Sequence, residues 1–506
     1  MVKARKLSPL PILDEASVRA FMVERGIKHL HARQMWKLIC KYRPERLEDV
    51  DALSMKEMGR QLPMGMIAAF AQQFTVTTSK VVEKHESRDG TIKLLMELQD
   101  GQRVEAVIIR HDGRNTLCVS SQIGCQMGCT FCATGTMGIK GNLLGGEILE
   151  QLYHAMGVAP IRNVVFMGMG EPLQNYNAVM DSVRGMTDVK RFRLSHHQVT
   201  ISTVGVVHAI KKMSAEFPHL NLALSLHAPT QALRQQIVPS AKAFPIEKLL
   251  AACYEHTRVS KKPLFVEYVL LKNVNDRPEH AHELGALLAG QTVIVNLIPY
   301  NPTDVAHEFD TPEDNDVDNF YEILVNEYKL LTTIRVHHGR EIGGACGQLA
   351  LTNPGKGNGV AGPKGAPALN DIEDLMDAGR GGSRGRGEKA WGKGSGGGGA
   401  VGRKLVRATK EDVKKGTGIV NEVEAIGVVG KSMRKEVEKE GKAVNGHVDD
   451  ENALSRKHMP REVSCGRATW LLSLAGASVA MAAGLVMLRV GITVWVVREE
   501  RNGCKR

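Results

Sequence analysis

A partial (β/α)6 barrel, preceded by a small helical domain and followed by a largely disordered tail, is the α/β architecture that three features of this 506-residue sequence predict. Between residues 104 and 336, short apolar strands alternate with helical stretches, the pattern of a parallel sheet built from strand–helix units. Residues 14–75 instead carry apolar side chains at helical spacing, with little β-branched content. After residue 353 the alternation stops and glycine dominates.

In order along the chain, Val18, Phe21 and Met22, then Met35, Leu38 and Ile39, mark the buried faces of helices in a domain spanning 1–85. The core, 86–353, is expected to place strands at 104–109, 164–167, 199–203, 220–226, 264–271, 293–298 and 333–336. Helices are expected over 147–156, 246–256, 279–288 and 316–331. About six units fit a partial barrel better than a closed eight-unit one, and functional residues should then sit just after the strands. Residues 354–466 read as a Gly-rich, charged linker that cannot bury a core. Its tract from Arg380 to Gly387 suits either loose RNA contact through charge and stacking or a plain flexible basic linker. In the last segment, 467–506, an uncharged run over 468–488 lies between Arg467 and Arg489. It has the length of a membrane-spanning helix but is rich in Ala, Gly and Ser, so a membrane anchor and an amphipathic extension both remain open.

The net charge of +11 resembles a nucleic-acid signal, yet residues 354–506 hold 27 Lys and Arg against 18 Asp and Glu, so most of the excess lies in the tail. Any RNA site on the core must therefore be a local basic patch. Nine cysteines are too few for a disulfide scaffold in a chain of this size. Pro9, Pro11, Asp14 and Glu15 interrupt what would be the apolar run of a secretory signal, which makes the cytoplasm the expected compartment, with an organelle or a membrane-anchored location as the alternative.

The chemistry is written in Cys125, Cys129 and Cys132, set in Gly-Cys-Gln-Met-Gly-Cys-Thr-Phe-Cys. Three such thiolates can hold three irons of a cubane cluster and leave the fourth open to a chelating substrate. Structural zinc would want a second C-x2-C knuckle or histidines, and a ferredoxin-type cluster a fourth nearby Cys. The C-x3-C-x2-C spacing, with Phe131 before the last Cys, resembles the signature of the radical S-adenosylmethionine (SAM) enzymes.

Further blocks sharpen the resemblance: Met169-Gly170-Glu171-Pro172, Ser202 in Thr-Ile-Ser-Thr, Ser225-Leu226-His227-Ala228, Asn301 in Pro-Tyr-Asn-Pro, and Ala345-Cys346-Gly347-Gln348-Leu349. With 115–144 they resemble the RlmN group of radical SAM RNA methyltransferases over roughly residues 15–352. The resemblance implies a radical SAM core binding a 4Fe-4S cluster on Cys125, Cys129 and Cys132, and two SAM molecules per turnover. Gly170 and Glu171 would contact the SAM amino group, with Ser202, Ser225, Leu226, His227 and Asn301 also around the cofactor. Cys346 would become methylated, and its methyl, activated as a radical, would add to carbon 2 of an adenine, a carbon without the lone pair that ordinary methyl transfer needs. Cys118 would release the product by forming a transient disulfide, and Glu105 would accept the proton. Without the resemblance, Glu105 reads as the solvent face of an alternating strand. The implied partners are ribosomal RNA and in some members transfer RNA, a donor such as a flavodoxin or ferredoxin, and no second subunit. Methylation at adenine carbon 8, or a non-RNA substrate, are the alternatives.

Overall fold

The computed structural model describes residues 5–351 except 112, 304, 306–308, 336 and 337. The expected linker and the 468–488 run lie outside the described residues, and among those described no helix is long and apolar enough to cross a membrane.

The chain opens with β1 (Leu10–Pro11), then α1 (Glu15–Arg25), α2 (His29–Tyr42), α3 (Asp49–Met58) and α4 (Met66–Ala71). Asp14 caps α1 by accepting from the Ser17 N–H at 3.1 Å, and Gly26 ends it in the left-handed conformation. The predicted helix faces are buried, joined by Trp36, whose indole N–H donates to the Ile12 carbonyl at 2.7 Å. These helices do not make a separate core. Trp36 carries the Arg191 guanidinium on its face at 3.6 Å, Asp14 accepts from the Gly146 N–H, and one hydrophobic core runs from α1 into the sheet.

β2 (Phe74–Thr75) pairs with β1, and then β3 (Lys80–Glu86), β4 (Ile92–Glu97) and β5 (Arg103–His111) form an antiparallel run. The span 80–86, expected within the helical domain, is thus an edge strand of the main sheet; its charged sequence, Lys-Val-Val-Glu-Lys-His-Glu, protects an exposed edge and hides the strand signal. The strand expected at 104–109 exists but is antiparallel. The first parallel strand of the main sheet is β6 (Arg114–Cys118), which hydrophobic pattern alone did not show.

A hairpin of β7 (Gln122–Cys125) and β8 (Gly138–Asn142) encloses the cysteine loop and the short α5 (Ala133–Thr136). The repeating part follows: α6 (Gly145–Met156), β9 (Asn163–Phe166), α7 (Tyr176–Thr187), β10 (Val199–Thr203), α8 (Val207–Glu216), β11 (Asn221–Ser225), α9 (Gln231–Ile237), α10 (Ile246–Ser260), β12 (Leu264–Leu270), α11 (Pro278–Leu288), β13 (Val293–Pro299), α12 (Asp314–Glu322) and β14 (Leu331–Ile334). The helix expected over 316–331 passes into a π turn at Ile323–Glu327 and gives way to β14 earlier than the sequence suggests.

The sheet order is β14-β13-β12-β11-β10-β9-β6-β5-β4-β3, with every pair from β6 to β14 parallel. Seven parallel strands joined by six crossovers form the expected partial barrel. The inner strands β12 and β13 are buried on both faces, which explains why they read as continuous apolar runs. Parallel direction brings the ends of all seven strands to one rim.

The cysteine hairpin closes tightly. Gly124 has φ +75°, and a Cβ there would lie 1.9 Å from the Gly138 carbonyl oxygen. Gly124→Ala should therefore splay the hairpin and destabilise the fold by about 1–3 kcal/mol. The check is the urea midpoint together with iron content; unchanged values would refute the close approach.

Candidate active site

The hairpin delivers Cys125 at the end of β7, and the loop between its strands carries Cys129 and Cys132, the last standing just before α5. Cys129 is buried, and the other two are half-buried among Met127, Phe131, Val269 and Tyr300. Burial pushes the Cys125 thiol up to about 12 against a backbone N–H at Met127, holds Cys129 well above its ordinary value, and raises Cys132 against N–H donors at Gly135 and Thr134. Metal-free, the three sulfurs keep their protons and give them up only to a ligand that compensates the charge.

The three line a cleft containing about 940 Å³ of space, part of it open to solvent. Among the described residues no three His, Cys, Asp or Glu side chains converge on a point that would hold one ion. A cluster whose irons each take one thiolate needs no such convergence. Soft sulfur donors, amide N–H groups directed at them and adjoining space together fit an iron-sulfur cluster with a chelating small molecule.

The strand ends build the rest of the wall. After β9 the chain turns at Gly170, where φ is +101° and a Cβ would fall 2.5 Å from the Gln122 side chain, so only glycine lets this turn lie on β7. Glu171 is held there: its N–H donates to Gln122 Oε1 at 2.8 Å, and its carboxylate accepts from the N–H groups of Leu173 and Val204, each at 2.9 Å. Burial raises its pKa. Ser202 and Ser225 hydroxyls lie 3.4 Å apart across β10 and β11. His227 has φ +60°, its Nδ1 accepts from the Val269 N–H at 3.1 Å, and its ring meets Phe131 edge-on at 5.0 Å. Burial, aided by the nearby Arg234 charge, lowers its pKa to about 3. The ring is therefore neutral and carries its proton on Nε2.

Leu226 departs from the expected set. Strand alternation turns its side chain into the core, fully buried, between two neighbours that face the cleft, and only its backbone remains near the site.

Cys346 lines this cleft and also a smaller cavity beside it, and Cys118, at the end of β6, lines that second cavity. The Cys346 loop leans on the cysteine loop: the Ala133 N–H donates to the Gly347 carbonyl at 2.8 Å, and the Thr134 hydroxyl to the Leu349 carbonyl at 2.5 Å. Asn301, just beyond β13, donates to the Cys346 carbonyl at 3.3 Å.

Glu105 is neither solvent-facing nor in the wall of either cavity. It is 1 % exposed, because β4 and β6 flank β5 and the Cys346 segment covers it. Its carboxylate pairs with Lys93 on β4 at 3.0 Å and accepts from the Leu351 N–H at 3.2 Å, while Lys93 reaches the Gly343 carbonyl at 3.5 Å. This buried pair anchors both ends of the loop bearing Cys346.

Sequence reading missed Lys93, Glu267 and Arg335. Arg335 directly follows β14 and lines both cavities, so the strand-end rule could have found it. Glu267 was visible as a lone charge inside an apolar strand.

The description of the Radical SAM superfamily matches residues 119–284. The dual-specificity RNA methyltransferase RlmN of Halorhodospira halophila is 42 % identical over 353 residues, covering 68 % of this chain and 94 % of that protein. This chain belongs to the RlmN family. The RlmN dual-specificity RNA methyltransferase of Alcanivorax borkumensis is 36 % identical over 349 residues, covering 67 % of this chain and 88 % of that one. A crystal structure of a radical SAM methyltransferase from Sphaerobacter thermophilus superposes with a TM-score of 0.62 at 35 % identity, covering 67 % of this chain and 99 % of that one. Each of these three matches covers about two thirds of this chain.

A histidine whose folded pKa lies below its unfolded value of 6.5 contributes stability that is present above pH 6.5 and lost as pH falls towards about 3. Metal-free protein should accordingly weaken over that window, and His227→Asn should flatten the acid limb. Thermal melts from pH 7.5 to 4 test this, and parallel curves for the two proteins would count against a buried neutral imidazole.

Proposed function

We propose that this chain methylates carbon 2 of an adenine in large-subunit ribosomal RNA, and of an adenine in transfer RNA, with Cys346 as the carrier of the methyl carbon. It is a radical SAM RNA methyltransferase whose cofactors are a 4Fe-4S cluster and SAM, two SAM molecules serving each turnover. The observation that carries the residue assignment is the position of Cys346 on the wall shared by the cysteine-triad cleft and the cavity of Cys118.

Cys125, Cys129 and Cys132 would hold the cluster, and the fixed Glu171 carboxylate, with Gly170, suits the SAM amino group. Ser202, Ser225, the Leu226 backbone, His227 and Asn301 surround the remainder. When bound, cluster and SAM supply one-electron cleavage of a carbon–sulfur bond, which gives access to C–H bonds that acid–base chemistry cannot reach. Cys346 offers its methylated sulfur to that cleft, and the Asn301 and Ala133 contacts keep its loop in place. Once the carbon is joined to adenine, the Cys118 thiolate attacks the Cys346 sulfur. The S–S bond forms as the C–S bond breaks, and its electron pair stays with the carbon, which then takes a proton.

Glu105 is assigned as acceptor of the proton on adenine carbon 2. In that role it must exchange the Leu351 N–H for the base while it keeps its contact with Lys93. The target adenine must leave its stack to enter the cleft. A small redox protein such as a flavodoxin or ferredoxin is the proposed electron source, a reducing cytoplasm the compartment, and a monomer the working form.

Cys346→Ala should lose at least a hundredfold in methyl transfer while retaining iron, and Cys118→Ala should accumulate a covalent protein–RNA adduct visible on denaturing gels. Mass spectrometry of RNA digested after anaerobic incubation with SAM and a reductant reports the product. Methyl at carbon 8, or none on adenine, would refute the assignment.

A further inference from the structure

Arg234 lies on α9, outside the set used above, and is 0 % exposed. Its Nε donates to the Leu226 carbonyl at 3.0 Å, and one Nη donates to the carbonyls of Val204 at 2.6 Å and Ser225 at 3.2 Å. These bonds tie the loops after β10 and β11 together. They do not account for the charge. The other amino group, Nη1, is buried with no hydrogen-bond partner among the described residues, and no carboxylate there pairs with the guanidinium. Buried cations in stable proteins are paired, so an unpaired one marks the place of an anion.

The surroundings say which anion. The Thr130 N–H and hydroxyl both address the Ile237 carbonyl at the end of α9, at 3.0 and 3.3 Å, which fixes this helix to the cysteine loop. Leu233, Ile237 and Val238 pack with Cys129 and Phe131. Burial lowers the guanidinium pKa to about 10, and the groups that oppose this are the thiols of Cys129 and Cys253. A cubane cluster on three thiolates is anionic when oxidised and gains a further negative charge on reduction.

We propose that Arg234 is the buried counter-charge of the cluster, a positioning residue whose fixed positive charge favours the reduced state. The inference rests on Cys125, Cys129 and Cys132 holding that cluster. Net charge and hydrogen bonds around the sulfurs are the levers that set such potentials. A clamp alone would need only donors, which a neutral side chain also supplies.

The test is an EPR-monitored redox titration of the reconstituted full-length protein without RNA, so the reading does not depend on methylation. Arg234→Gln should lower the equilibrium constant for cluster reduction about tenfold, a shift of about 59 mV to more negative potential for one electron, while Arg234→Lys should stay near wild type. Equal potentials in wild type and Arg234→Gln overturn the counter-charge, as does an Arg234→Lys shift as large as that of Arg234→Gln. Should Arg234→Gln lose its iron, Arg234→Lys decides: iron held at the wild-type potential supports the proposal, and iron lost from it too counts against it. Wild-type protein that reconstitutes no cluster would instead sink the cluster assignment, and this inference with it.

Discussion

Because β6 and β9 to β14 all run in the same direction in the main sheet, seven chain segments far apart in sequence must end at one rim, and each can place a polar group there without disturbing the apolar layers below. Cys118, the turn at Gly170 and Glu171, Ser202, Ser225 with His227, Asn301 and Arg335 all occupy such ends. The sheet supplies stiffness and the ends supply chemistry. The cysteine triad is the exception, since it stands on a separate hairpin laid across the rim, held by the Gly170–Gln122 approach and the Thr130–Ile237 bond.

Gathering three thiols in a half-buried apolar setting works against their ionisation, as the raised Cys125, Cys129 and Cys132 values show. The fold holds them in place through the hairpin ladder and the packing of Met127 and Phe131. Nearby groups divide the electrostatic work. Neutral His227 avoids repelling Arg234, Glu171 has its two oxygens occupied by backbone donors, and Lys93 with Glu105 forms a closed pair beneath the Cys346 loop.

What the sequence disclosed was local in character. The triad spacing, the Gly-Glu turn and the Ser-Leu-His run each sit within a few residues, so the chemistry they imply needs no knowledge of the fold. The helix faces around Phe21 and Met35 were equally legible, since 3.6-residue periodicity records burial directly. The edge strand β3 was not, because its charges are what an exposed edge requires. Arg234 illustrates the harder case: within Gln-Ala-Leu-Arg-Gln-Gln-Ile it looks like the solvated side of a short helix, and only the loops folded over α9 bury it. Lys93 likewise gains its partner through β4–β5 pairing, a register that no short window encodes.

The two backbone-directed bonds from Ala133 and Thr134 join the cysteine-triad loop to the Cys346 loop mechanically. A change that shifts Ala133 or Thr134 is therefore transmitted to Gly347 and Leu349, on the far side of Cys346, without passing through the sheet.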